Sequence, residues 1–158
     1  FFGTKDSDGA DGGGFVLHND PAGAAAIGGF GIDRGLAGLQ NAIAIEFDTY
    51  QNTGELANDH TAFFDPDGSF SSTPFYLGNI EDGAWRSVTF SWDPQSLTLS
   101  YSINGTPIGT LESDIVEAYL GGSQFAYFGV AAATGSKNNL QKVRFTEVDA
   151  ALDRKSVV

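Results

Sequence analysis

The residues best placed to do chemistry stand in one run, Glu46-Phe47-Asp48-Thr49-Tyr50-Gln51-Asn52, with Glu55, Asp59 and His60 shortly after it. In an extended strand, residues two apart share a face. Glu46, Asp48, Tyr50 and Asn52 therefore point one way, and Ile43, Ile45 and Phe47 the other. The first face carries two carboxylates about 7 Å apart, a phenol and an amide. Like charges so close repel, and a protein gains nothing from them unless something positive lies between. Oxygen donors from Asp and Asn, joined by backbone carbonyls, suit Ca2+. An imidazole beside carboxylates, as at Asp59-His60, suits Mn2+ or Zn2+ better. A solvated strand face with a stray histidine is the plain alternative. Asn52, Asp59 and His60 at hairpin distance weigh against it.

These residues need a scaffold of strands. Ala42 to Tyr50 (AIAIEFDTY) reads as one strand, and Thr61 to Phe64 as the strand that brings Asp59 and His60 back alongside. Asp65-Pro66-Asp67-Gly68 then turns the chain. Upstream, Phe15-Val16-Leu17 reads as a short buried strand, followed by a loose stretch from His18 to Gln40 centred on Gly28-Gly29-Phe30-Gly31. His18 itself reads as a solvated loop residue. Downstream, Val88, Phe90 and Trp92 alternate with polar residues, and so do Leu97, Leu99, Tyr101 and Ile103. Asp93-Pro94-Gln95-Ser96 and Asn104-Gly105 supply the turns, the latter as a two-residue hairpin. Trp85 and Trp92 read as core. Ile115 to Leu120 predicts one helical turn, and Phe125 to Ala132 and Lys142 to Val148 the last two strands. About ten short strands, glycine-rich loops and almost no helix predict an all-β sandwich of two antiparallel sheets, of jelly-roll type. Residues 1–149 form the domain, and 150–158 a tail or linker.

Composition narrows the function. The 158 residues suit one domain. Acidic residues outnumber basic ones 20 to 8, for a net charge of −12, so phosphate polyanions are repelled and nucleic acid is excluded as a partner. Bound cations would relieve the same repulsion. With no cysteine there is no disulfide, no thiolate zinc site and no cysteine nucleophile. No apolar run approaches ~18 residues, so no membrane insertion is expected. Phe1-Phe2-Gly3-Thr4 reads like the middle of a strand, which predicts that the chain continues a longer natural sequence.

In order along the chain, these segments resemble the L-type (legume-like) lectins in the form found as modules of bacterial surface proteins. Ala10-Asp11-Gly12 before Phe15-Val16-Leu17 resembles the family's Ala-Asp-Gly turn and strand, and Gly28-Gly29 its glycine loop. Ala44 to Asn52 is similar to the metal-strand signature, Asp59-His60-Thr61-Ala62-Phe63 to the returning strand, and Phe128 to Gly135 to the last sugar-loop strand. The resemblance covers about Phe1 to Phe145.

It implies a concanavalin A-like jelly roll that binds carbohydrate, a glycan or glycoprotein, without catalysis. It further implies a secreted or cell-surface setting, with adhesion as the role. Asp48, the Tyr50 carbonyl, Asn52 and an acidic residue, Asp59 or alternatively Glu55, would hold Ca2+. Glu46 and His60, sharing Asp48 and Asp59, would hold a second, transition metal such as Mn2+. Asp11, after a cis Ala10–Asp11 peptide, would accept hydrogen bonds from sugar hydroxyls. Asn52 would serve metal and sugar together, Gly29 would donate its N–H, the Tyr50 ring would stack on an apolar sugar face, and Gly135 and Ser136 would open the last sugar loop.

The chain departs from that pattern in three places. The interval from Asn52 to His60 is short, which leaves both acidic candidates and the second metal open. Ser136-Lys137-Asn138-Asn139 replaces the plant-type His-Asp pair, so no sugar preference carries over. The resemblance implies further strands ahead of the matched region, and their loss would expose sheet edges to a second copy or to neighbouring domains. Two other readings compete: a metal-stapled adhesion module blind to sugar, and a glycosidase of the laminarinase type. The latter needs a third carboxylate where Gln51 stands, and an amide neither donates nor accepts a proton at neutral pH.

Overall fold

The computed structural model describes residues 1–6, 8–55, 57 and 59–149; the expected tail, 150–158, lies outside the described residues. Eight strands form among them: β1 (Gly12–His18), β2 (Ala42–Asp48), β3 (Asp59–Phe64), β4 (Phe75–Gly78), β5 (Val88–Asp93), β6 (Thr98–Ile103), β7 (Thr106–Glu112) and β8 (Tyr127–Ala133). One short helix, α1 (Ile115–Ala118), is capped by the Asp114 carboxylate, which accepts from the Val116 and Glu117 N–H groups.

All pairings are antiparallel. One sheet runs β4-β3-β2-β1-β8 and the other β5-β6-β7. The period-two pattern of β2 does what its spacing predicts. Ile43, Ile45 and Phe47 enter the core between the sheets, with Phe63 of β3 and Leu99, Tyr101 and Ile103 of β6. Phe15 of β1 stacks on Phe90 of β5 with ring centroids 4.1 Å apart, and Phe63 meets Tyr101 edge-on. The sheets are thus joined by apolar burial rather than by any covalent link.

The opposite face of β1 and β2 is also covered. Val16, Ala42 and Ala44 pack with Phe64 against Leu36 and Leu39 of the segment between β1 and β2, which lies across the sheet. Small residues in β1 make room for it. A Cβ at Gly14 would run into the Ile45 carbonyl and the Leu36 side chain, and one at Gly12, whose φ is +117°, into the Phe47 carbonyl.

Several expectations need correction. Lys142 to Val148 forms no strand: its backbone bonds run to Phe1, through Lys142 N–H to Phe1 O at 3.0 Å and the amino terminus back to Lys142 O, while the Phe145 ring meets Phe128 of β8 edge-on. Phe1 to Thr4 is likewise not a strand. β4, unread in the sequence because Phe75-Tyr76-Leu77-Gly78 has no alternation, closes one edge. Trp85 is half exposed, against the Phe1 ring and the Arg144 guanidinium, whereas Trp92 packs on the core. His18 is buried at the end of β1 and stacks on Tyr127. The Asn104-Gly105 turn has the positive φ values, 50° and 79°, that its residues imply.

Candidate functional site

The non-core face of β2 presents Glu46 and Asp48, both buried. The register sets Asp48 opposite His60 of β3 and opposite Gly12 of β1, and Glu46 opposite Gly14. Residues directly opposite share a face. Glu46, Asp48 and His60 therefore converge over a floor that the glycines leave open.

A positive group does lie between the carboxylates, and it belongs to the chain itself. Arg34, at φ 52° just after a 3-10 turn (Gly31–Asp33), donates from Nη1 to Asp48 Oδ2 at 2.6 Å and from Nη2 to Glu46 Oε2. Its side chain is 11% exposed, and Nε has no hydrogen-bond partner. Burial still pushes the Asp48 carboxyl up to about 6, against the opposing pull of Arg34 and of the Tyr50 N–H, with Glu55 adding to the rise. The sequence signal for Arg34 is its isolation: it is the single Lys or Arg between Lys5 and Arg86.

β2 ends at Asp48, so the strict alternation assumed for Tyr50 and Asn52 stops there. A tight turn gathers the same residues instead. Asp48 Oδ1 accepts from the Tyr50 N–H at 3.0 Å, Asn52 Nδ2 donates to the Tyr50 carbonyl at 3.4 Å, and the Asn52 N–H donates to Glu55 Oε2 at 2.7 Å. Of the two acidic candidates, Glu55 is the one that reaches this turn. Its charge raises both Asp48 and Asp11.

Asp59 turns elsewhere. Its Oδ2 accepts from the Ile80 N–H at 2.6 Å, and the charges that act on it are those of Asp6, His60 and Arg86. A register shift between Asp59 and His60 in the β3–β4 pairing separates the two neighbours. Asp59, Thr49, Tyr50 and Gln51 border a hollow of about 440 Å³. The four residues expected around a second metal (Glu46, Asp48, Asp59 and His60) are thus not brought to one point: Arg34 holds two and Ile80 a third. Among the described residues, no group of three or more His, Cys, Asp or Glu side chains is arranged to hold a metal ion.

Asp11 follows a cis peptide from Ala10. Its backbone bridges two strand ends, donating to the Ala133 carbonyl at 3.1 Å and accepting from the Thr49 N–H at 3.2 Å. The side chain is buried, with Oδ2 lacking a partner. Burial raises its pKa, opposed by Arg34 and by the Gly135 amide. Gly135 lies directly beside Oδ2, and Gly31 flanks Gly135. Ser136 is exposed next to them, and the following Lys137 pairs with Asp8. The N–H of Gly29 is turned inward, to the Ala37 carbonyl at 3.0 Å, so Gly31, not Gly29, is the glycine at this spot. Phe30, beside Gly31, is 80% exposed. Tyr50 is half-buried.

The model of the legume lectin beta-barrel domain family matches residues 1–147. Among solved structures, the winged bean acidic lectin complexed with methyl-α-D-galactose superposes with a TM-score of 0.66 at 26% identity, over 84% of this chain and 57% of that one. The basic winged bean lectin with Tn-antigen gives 0.60 at 25% identity, over 81% and 54%. The Bauhinia forficata lectin in complex with GalNAc gives 0.67 at 20% identity, over 84% and 62%. The chain therefore spans a little more than half the length of these lectins, and its two antiparallel sheets are those of their jelly roll. Matched along nearly its whole length, the chain belongs to the legume lectin β-barrel, or L-type lectin, domain family.

Proposed function

We propose that the domain is a non-catalytic lectin module that binds a glycan through Asp11, Asn52 and the Gly31 and Gly135 backbones, in a calcium-dependent way, as part of a secreted or cell-surface protein. One observation carries the reading: Asp11 holds a buried carboxylate oxygen with no partner of its own, at a spot walled by two glycines. An unpaired buried acceptor is costly, and sugar hydroxyls are donors that would satisfy it. A carboxylate accepts two of them at once, as charge-assisted bonds. Phe30 offers an apolar edge to the same ligand. Catalysis is not part of the proposal, because Glu46 is engaged by Arg34 and Gln51 is exposed and cannot transfer protons.

The family implies calcium, and the donor set fits it. Asp48, the Tyr50 carbonyl, Asn52 and Glu55 are hard oxygen donors already gathered in one turn, and Asp11, Asp48 and Glu55 bring more negative charge than Arg34 offsets. Bound there, Ca2+ would neutralise the surplus charge and fix the turn. Asn52 would then be held with its amide toward the sugar. A transition metal does not fit, for the reasons of geometry given above.

Asp11→Ala tests the reading. Removing one partner of a charged hydrogen bond costs roughly 2–5 kcal/mol, so glycan affinity should fall by about 30-fold or more while the melting temperature holds. A glycan array in Ca2+, starting with methyl-α-D-galactose and Tn-antigen because two neighbours were solved with these ligands, supplies the probes. An array with no bound glycan would leave the adhesion module as the better reading.

A further inference from the structure

We infer that Arg34 is a built-in counterion that takes the place of the second metal, so that the floor of the site is organised without a transition metal. The inference deepens the lectin reading, since it concerns the same site, but its first test needs no sugar.

The geometry argues for it at three levels. At the residue, the guanidinium reaches Glu46 and Asp48 with separate nitrogens, so each carboxylate gets its own charge-assisted bond. At the element, the segment that carries Arg34 is anchored on both sides. Leu36 and Leu39 are buried on the sheet, and Gly28 and Gly35 are tied by a backbone bond at 3.0 Å. The cation is therefore positioned by packing rather than borne on a free side chain. At the site, the Arg34 charge also reaches Asp11, so one cation faces both metal-strand acids and the proposed sugar acceptor. The remaining member of the expected metal set, Asp59, is committed to the Ile80 N–H. A transition metal at Glu46 and Asp48 would have to displace a buried cation and turn Asp59 around.

Arg34 is thus a positioning residue: it holds the acids that hold the site. The test is a Mn2+ titration of the Ca2+-saturated domain, read by electron paramagnetic resonance at micromolar Mn2+. The wild type should bind none, and one tightly held Mn2+ per chain would overturn the inference. Arg34→Ala strands two buried carboxylates, and its melting temperature should fall by roughly 6–12 °C. A variant that melts with the wild type would also overturn it. Should Arg34→Ala fail to fold, Arg34→Lys serves instead. An ammonium lacks the fixed fork that gives each carboxylate its own nitrogen, so a melting temperature a few degrees below wild type supports a bridging role, and full wild-type stability in Lys contradicts it. Glycan binding that needs Ca2+ but is unchanged by added Mn2+ is the matching functional readout. If no glycan binds at all, the lectin reading fails while the Mn2+ count still decides the role of Arg34.

Discussion

Glu81 is another acid that the protein buries, 1% exposed, beside the Asp82–Arg86 ion pair but not part of it. Asn139 donates to its Oε1 at 2.6 Å, while Oε2 has no partner, and the Thr49 hydroxyl beside it closes no hydrogen bond. Burial, with the charges of Asp59 and Asp6 against the Asn139 bond, pushes its carboxyl from 4.5 up to about 7. The sign follows from proton binding. Between those two values the folded state holds a proton that the unfolded chain has lost, so stability falls as pH rises through the window and levels off above it. The contribution is at most about 3 kcal/mol. Glu81→Gln is expected to raise stability at pH 8 and flatten the slope between pH 5 and 7, measured by urea unfolding at several pH values. Asp48, raised for the same reason, leaves a smaller slope of the same sign in that variant. Neither Glu81 nor Arg34 was legible in the sequence as part of a site. Neither Asn79-Ile80-Glu81-Asp82-Gly83 nor an arginine in a glycine-rich stretch carries a periodicity that marks burial. Burial by a distant segment leaves no local pattern to read. Asp48 and Asn52, by contrast, stand in one short run whose spacing was readable, while Asp11 was marked by the family resemblance alone.

β1 and β2 show what period-two spacing reveals and what it hides. The core row Ile43, Ile45 and Phe47 was readable because every second residue is apolar. The covered opposite face was not, because both of its layers are needed to bury it. Gly12-Gly13-Gly14, which lies ahead of the strand expected at Phe15-Val16-Leu17, is the start of β1, where the chain must pass close to its neighbours on both sides. Gly12→Ala is expected to cost ~2–3 kcal/mol, since it meets both a positive φ and the Phe47 carbonyl; circular dichroism melts check it. Ile45→Ala, which opens a cavity between the sheets, should cost roughly 2–5 kcal/mol without touching the acids on the other face. The misread segment at 142–148 has strand-like alternation, yet Val143 and Phe145 stay exposed because no described strand pairs with the segment, although the Phe145 ring touches Phe128 of β8. Alternation marks a strand only when a partner is there to pair with it.

Across the whole molecule, a net charge of −12 makes the folded state sensitive to cations. The melting temperature should drop on EDTA treatment and return with Ca2+ but not depend on Mn2+. Indifference to chelation would remove calcium from the proposal and leave the aspartate cup intact. The sandwich class was readable from turns and short strands, since those are local. Strand order was not, because β1 pairs with β8, more than a hundred residues away. The segment between β1 and β2 has two duties in one length of chain: it sets Gly31 beside Gly135 at the Asp11 carboxylate, and it carries Arg34 down to the strand. Re-targeting the receptor by grafting a foreign loop there would also strip the acids of their counterion. Any transplant must bring its own arginine, in register, or it will trade recognition for collapse.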